Sequence, residues 1–301
     1  MEQDIVSLIE ENGPMSGSEI WEQIGGDGLT LWRTCKLSER LKIQVVGTQY
    51  LRLDRRVDGY ARLSPSILRE FLTYSVIGSI HDLEPIKKKA HALSSHTEEV
   101  SKAKLELAYR LVSGFVDRLG TELVSDNEIC FIIAGDIVYN MAHDVPRPER
   151  SSGKLVNGSD IDLVVVVDDR FPDEYMKRLD STIYQEKYQI LMAPHIREEI
   201  DYIVKRLSRV REQVQFDSFR RMVACKILQE GTLLFGSEHL FGQIKAMLRD
   251  YGVVDRLNAL ERRARAFRKE AEKYLLQEPL KKIQEEKIYL FYPAEESEEF
   301  E

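Results

Sequence analysis

Apolar residues recur at helical spacing at the start of the chain. Ile5, Leu8 and Ile9 mark one helix, which Asn12-Gly13-Pro14 stops; Ile20, Trp21 and Ile24 mark a second, capped by Ser18 and ended by Gly25-Gly26. Thr30 predicts the cap of a third helix carrying Trp32, Leu37 and Leu41. The period then shortens. Gln44 to Val46 and Tyr50 to Leu53 are β-rich, and Asp58-Gly59 turns the chain into Tyr60-Ala61-Arg62-Leu63. Ser64-Pro65 begins a new element, and Glu84-Pro85 to Ser95 reads as a connector.

Helical spacing returns between Glu98 and Leu119, where Leu105, Ala108, Tyr109, Val112, Phe115, Val116 and Leu119 form one stripe. Cys130 to Ala134 predicts a buried strand, Gly135-Asp136 the start of a helix through Met141, and the polar stretch 143–157 a mobile loop. Asn157-Gly158-Ser159-Asp160-Ile161-Asp162 then runs into Leu163-Val164-Val165-Val166-Val167, an unbroken apolar run that implies a strand covered on both faces. Farther on, Ser218 to Gln229 and Val254 to Leu276 read as helices, and the seventeen residues from Glu285 include seven Glu, the composition of a disordered tail. These patterns divide the chain into residues 1–80, a connector at 81–97, a central α/β region at 98–215, a helical region at 216–283 and an acidic tail at 284–301. The fold class is α+β.

Composition narrows the context. With 43 % hydrophobic and 31 % charged residues over 301 positions the chain reads as a soluble globular protein, long enough for about two domains. Glu2, Asp4, Glu10 and Glu11 stand where a signal peptide would be basic and then apolar, and no apolar run reaches spanning length, so a cytoplasmic protein with no membrane partner is expected. Cys35, Cys130 and Cys225 are far apart and lack metal spacing, so free buried thiols are expected. A net charge of -8 argues against coating nucleic acid through bulk charge.

The candidate chemistry lies in the acidic pair. Asp160 and Asp162 are one residue apart at a strand entrance, so their carboxylates share a face and repel each other. A divalent cation relieves that repulsion, and Mg²⁺ commonly sits between one or two carboxylates and substrate phosphates.

Two resemblances follow from these residues. Three helices and a β-hairpin within residues 1–80 resemble a winged-helix domain. Arg33, Lys36, Arg40 and Lys42 on and after its third helix, and Arg52, Arg55, Arg56 and Arg62 on its wing, would face phosphates if it binds nucleic acid. Residues 1–79 hold nine Lys/Arg against eleven Asp/Glu, which equally fits a protein-contact or dimerisation domain with a solvated basic face. The strand, Gly135, helix, loop and Gly-Ser-Asp-x-Asp sequence over roughly residues 98–240 resembles the polymerase-β-like nucleotidyltransferase superfamily. Its signature is a strand ending in Gly-Gly or Gly-Ser at a helix start, Asp-x-Asp on the next strand and a third acid beyond. The resemblance therefore implies a mixed sheet flanked by helices, with a helical region after it.

It also implies a site. Asp160 and Asp162 would bind two Mg²⁺ ions, or Mn²⁺, while Gly135 and Ser159 would cradle the phosphates of ATP or another nucleoside triphosphate. Asp136 stands where the family has Gly or Ser, so it either caps the helix, binds a metal or alters substrate handling. His143, Arg147, Arg150 and Lys154 either fold over the nucleotide or lie in a solvated loop. Asp201 is the third acid if Ile200 to Val204 is a strand; Ile200, Ile203, Val204, Leu207 and Val210 equally fit a helix. Lys226 resembles a position where some relatives place a basic residue on the triphosphate; an exposed helix lysine is the alternative.

The domain order and the tyrosine-bearing tail resemble the Hailong-type anti-phage nucleotidyltransferases. That implies template-independent joining of NTPs or dNTPs into short oligonucleotides, with Tyr289 or Tyr292 as an acceptor or, alternatively, as part of a hydrophobic latch. Transfer of a nucleotide to a protein or tRNA, and a DNA-binding regulator with an inactive nucleotidyltransferase-like domain, are the alternatives. A homo-oligomer is compatible with each.

Overall fold

The computed structural model describes residues 1–119, 128–149 and 152–292. The chain divides into two compact units. One holds residues 1–96 together with the described residues from Ala259 onward; the other holds Thr97–Asn258. Both are built from helices and small sheets, and among the described residues no helix is long and apolar enough to cross a membrane.

The first unit begins with α1 (Glu2–Asn12), β1 (Met15–Ser16), α2 (Gly17–Ile24), α3 (Gly28–Leu37) and β2 (Leu41–Val45). β3 (Tyr50–Leu53) and β4 (Ala61–Ser64) then pair as an antiparallel hairpin, and α4 (Ile67–Thr73) leads into β5 (Ser75–Ser79). β5 lies between β1 and β2 in an antiparallel sheet. Local chemistry moves the expected helix ends. Ser16, not Ser18, caps α2, because Ser16 and Glu19 satisfy each other's backbone amides in a capping box. Asp27, not Thr30, caps α3, its carboxylate accepting from the amide and hydroxyl of Thr30. Leu41 falls outside that helix, because Leu41-Lys42-Ile43-Gln44-Val45 alternates at the strand period and pairs along β5.

α5 (Leu83–Leu119) replaces the expected connector. Pro85 sits in its first turn, where an amide has no intrahelical acceptor to lose, and Ile86 and Ala90 continue a buried stripe.

The second unit is organised on a four-stranded sheet. β6 (Ile129–Ala134) passes into a 3-10 turn at Gly135–Tyr139, shorter than the helix expected to Met141 because Asn140 adopts a left-handed conformation and ends it. The expected loop at 143–157 instead folds back as the hairpin β7 (Pro146–Pro148) and β8 (Leu155–Asn157). Past Pro148, the Glu149 carboxylate accepts from the Ser152 amide and hydroxyl at 2.6 Å each. Prolines are tolerated because β7, which carries them, pairs with β8 alone and joins no strand on its other edge.

β9 (Ile161–Val167), α6 (Asp173–Met192), β10 (Ile200–Arg206), α7 (Leu207–Gln213), α8 (Phe219–Glu230), β11 (Thr232–Gly236) and α9 (Glu238–Asp250) complete this unit. The sheet order is β10-β9-β6-β11, with β9 and β10 parallel and the other pairs antiparallel. Ile161, Leu163, Val165 and Val167 pack into a core with α5 and α6, while Val164 and Val166 are buried on the opposite face. The burial on both faces matches the unbroken apolar run.

α10 (Val253–Gln277), α11 (Leu280–Glu286) and a 3-10 turn at Ile288–Leu290 end the described chain. Ala271, Leu275, Ile283 and Phe291 join the core of the first unit, and the Phe291 ring lies 5.5 Å from that of Trp32. The Tyr292 hydroxyl donates to Asp27 at 2.9 Å. The segment expected to begin a disordered tail at Glu285 is thus ordered as far as Tyr292, and it latches as an apolar strap; residues 293–301 lie outside the described residues.

Lys205 is a buried lysine within the sheet. It points to the Val164 side of β10, is 5 % exposed, and its ammonium donates to the Gln213 side chain at 2.9 Å. Burial lowers its pKa to about 8. Because the folded pKa lies below that of the unfolded chain, the cost of charging is fully present below pH ~8 and fades as pH rises toward that of a free lysine. Lys205→Met is therefore expected to stabilise the protein at pH 7 by about 1–2 kcal/mol, the relieved charge outweighing a lost hydrogen bond of about 1 kcal/mol. Urea unfolding at neutral and alkaline pH checks this: wild type gains stability above pH ~8, and the variant does not.

Candidate functional site

The site is assembled where β6, β9 and β10 end side by side. Ile200 pairs with Ile161 and Asp201 with Asp162, so the two parallel strands enter the sheet in step. One consequence was not anticipated from sequence. Glu199-x-Asp201 lies alongside Asp160-x-Asp162, a second acidic pair matching the first, and the amide of Ile161 donates to the carbonyl of Glu199 at 2.8 Å. Neighbouring strands lie about 4.8 Å apart, so carboxylates in register repel strongly. Asp201 is on a strand, and its side chain shares the Asp162 face.

The chain supplies cations for this charge. Arg147, from β7, places its guanidinium between Asp160, which it contacts closely, and Glu199 at 2.9 Å, while its Nε donates to the carbonyl of Gly158 at 2.7 Å. Lys187, from α6, meets Asp201 at 2.9 Å. Neither partner was expected. The hint available was the position of Glu199, two residues before Asp201 and hence of the same strand parity.

Gly135 is required by geometry. Its φ is +71°, and a Cβ there would lie 1.9 Å from a carboxylate oxygen of Asp162. The backbone at the end of β6 therefore runs against the acid of the next strand, an approach open only to glycine. Gly135→Ala is expected to cost about 1–3 kcal/mol by backbone strain and to push Asp162 aside, visible as a lowered melting temperature.

Ser159 and Asp136 form one unit. The Ser159 hydroxyl donates to Asp136 at 2.7 Å and accepts from the amide of His143 at 3.2 Å, while the Ser159 amide donates to the carbonyl of His143 at 2.9 Å. Asp136, the second residue of the turn, thus orients the serine. Gly158, with φ +66°, lets the chain pass His143, whose carbonyl would lie 1.9 Å from a Cβ.

Two buried ion pairs frame these residues. Lys104 of α5 contacts Glu198 closely and donates to the carbonyl of Asn157 at 2.7 Å, tying the approaches to β9 and β10 together. Burial lowers the lysine and raises the carboxyl, and each partner opposes the shift of the other. Lys226 bonds to Glu230 at 2.8 Å, and both side chains are nearly fully buried, so it is not an exposed helix lysine. Glu230 also accepts from the Tyr139 hydroxyl at 2.8 Å, linking α8 to the turn after Gly135. The end of α8 is fixed by Lys245, whose ammonium donates to the carbonyls of Leu228, Gln229 and Gly231.

Asp160, Asp162, Asp201, Gly135, Asp136 and Ser159 are therefore brought together, as is Arg147 of the predicted clamp. Lys154 lies against Met192, and Arg150 falls outside the described residues. The donor set is all carboxylate oxygen, which suits Mg²⁺. Among the described residues no three such donors converge on one point; the guanidinium fills the space between Asp160 and Glu199. Cation binding thus requires Arg147 to yield Asp160.

The basic surface of the first unit is largely committed internally. Arg33 donates to the carbonyls of Leu275 and Glu278, Arg40 pairs with Glu10, and Arg62 pairs with Asp54. All three cysteines are free and buried. Set against models of known protein families the chain matches none, and no curated protein sequence matches it.

Proposed function

We propose that the chain is a Mg²⁺-dependent nucleotidyltransferase of the polymerase-β-like kind. It transfers a nucleoside monophosphate from an NTP or dNTP to a hydroxyl and releases pyrophosphate. The observation that carries this reading is the Asp160-x-Asp162 strand end in register with Glu199-x-Asp201 and pressed against the backbone of Gly135. The mixed order β10-β9-β6 supports it, since it sets both acidic pairs beside the glycine turn.

The chain's residues divide the work. Asp160 and Asp162, with Glu199 or Asp201, would hold Mg²⁺, which when bound lowers the pKa of an attacking hydroxyl and stabilises the departing pyrophosphate. Gly135 leaves the backbone beside Asp162 open to a phosphate, where no side chain could stand. Asp136 fixes the rotamer of Ser159, making its hydroxyl a preset contact. Arg147 neutralises two of the acids and is placed to exchange carboxylate for phosphate oxygen, for which its planar fork is suited. Lys104 and Glu198 hold the strand entrances together and take no part in bond making.

The antiparallel β1-β5-β2 sheet with α1, α2 and α3 supports a winged-helix reading of the first unit, in which β3, β4 and α4 are inserted between the last two strands. Its third helix commits Trp32 and Arg33 to packing against the C-terminal segment, which leaves Lys36 and, beyond the helix, Arg40 and Lys42 as its exposed basic residues. A structural or dimerisation role is the alternative to nucleic-acid binding there. Incubation with labelled NTPs and dNTPs in Mg²⁺ tests the acceptor: label in free oligomers supports oligonucleotide synthesis in anti-phage defence, label on added protein or tRNA supports the toxin-like alternative, and label on the chain itself points to Tyr289. Tyr292 is the poorer acceptor, since its hydroxyl is engaged with Asp27.

A further inference from the structure

The first unit carries a half-open pocket of about 370 Å³ that the proposed chemistry does not use. Its walls come from the β3–β4 hairpin, the start of α4, α10 and the C-terminal strap, with Val57, Leu63, Ile67 and Phe267 supplying an apolar interior. That volume falls within the range of small-molecule sites.

Three arginines face this space, and they differ in charge balance. Arg62 is paired with Asp54 at 2.9 Å, and Arg268 with Glu70 at 2.8 Å and Glu272 at 2.6 Å. Arg56 is exposed, and among the described residues its guanidinium has no hydrogen-bonded or ionic partner. Among the described residues, one cation without an acidic partner therefore stands beside an apolar pocket. The paired arginines are rigid: Arg268 also donates to the carbonyl of Pro65 at 2.9 Å, so the chamber is preformed.

We infer that this cavity is a binding site for a small amphipathic anion, with an aliphatic or aromatic body enclosed by the apolar walls and a single carboxylate or phosphate meeting Arg56. An uncharged ligand would gain the same burial without the ionic contact, and a polyanion would place charge in the apolar interior at high cost. The site is separate from the acidic strand ends and does not depend on their chemistry. Tyr289 and Leu290 form part of its wall, so an occupant would also hold the C-terminal strap.

The test uses matched probes on the full chain by calorimetric titration: octanoate against octanol, and phenylbutyrate against phenylbutanol. At least one acid is expected to bind once per chain and about tenfold tighter than its alcohol. Arg56→Ala removes that difference and leaves alcohol binding intact, while Ala271→Met fills the chamber and weakens both. Should Ala271→Met fail to fold, Val57→Phe serves as the filling variant. An aliphatic or an aromatic winner supports the site equally and tells which body it takes. The inference is overturned if no probe saturates, if acid and alcohol bind alike, or if binding survives filling in a variant with a normal melting transition.

Discussion

Asp162→Asn should lower nucleotidyl transfer by about 10²–10³-fold or more while making the fold more stable. Both effects come from one place. Asp162 stands directly across from Asp201 on a parallel strand and beside Asp160, so one acid in a crowded group becomes neutral without changing shape. Removing a like-charge neighbour in register is worth about 0.2–1 kcal/mol. The amide keeps the contact with Gly135 but loses the negative oxygens that would hold a cation. Activity falling as stability rises is the signature of charge kept for chemistry. Parallel activity and urea-unfolding measurements on the two proteins check it. Loss of both together would mean that Asp162 serves the fold.

Lys104→Met should instead be among the most damaging single changes to stability, by about 3–5 kcal/mol, because it leaves Glu198 buried without its cation. Without that partner, burial raises the Glu198 carboxyl further, opposed only by the charge of Arg147. An acid whose folded pKa is raised is tolerated while protonated, so the deficit is largest at neutral pH and shrinks as pH falls through the raised value. Melting curves of both proteins at pH 5 and 7 would show the gap narrowing in acid. A gap that stays constant with pH would assign the loss to packing of the lysine stem.

How much of this was legible in the sequence varies with the range of the signal. The β9 strand could be read because an all-apolar run has few other homes, and Gly135 because a glycine between a strand and an acid is conspicuous. Asp201 was ambiguous because Ile200, Ile203 and Val204 satisfy two periods at once; pairing with β9, a contact some forty residues distant, decides it. The same pairing hides Glu199, which has no meaning as a ligand until its strand lies beside Asp160. Arg147 was read only as a possible clamp, because the hairpin that aims it has prolines that mimic a loop. The run from Glu84 to Ser95 misled for a related reason, a proline being harmless in a first helical turn. The Tyr289-Leu290-Phe291-Tyr292 run could be read as a hydrophobic latch, but not where it docks, since the burial of Phe291 depends on Trp32 at the opposite end of the chain.

The central claim is that these strand ends move a nucleotide. Pyrophosphate release from the eight common NTPs and dNTPs in Mg²⁺, measured for wild type and Asp160→Ala, addresses it most directly. Metal-dependent release that a chelator stops and that Asp160→Ala abolishes is the result predicted. Equal release from both proteins, or none from wild type with any nucleotide and any acceptor supplied, would contradict it.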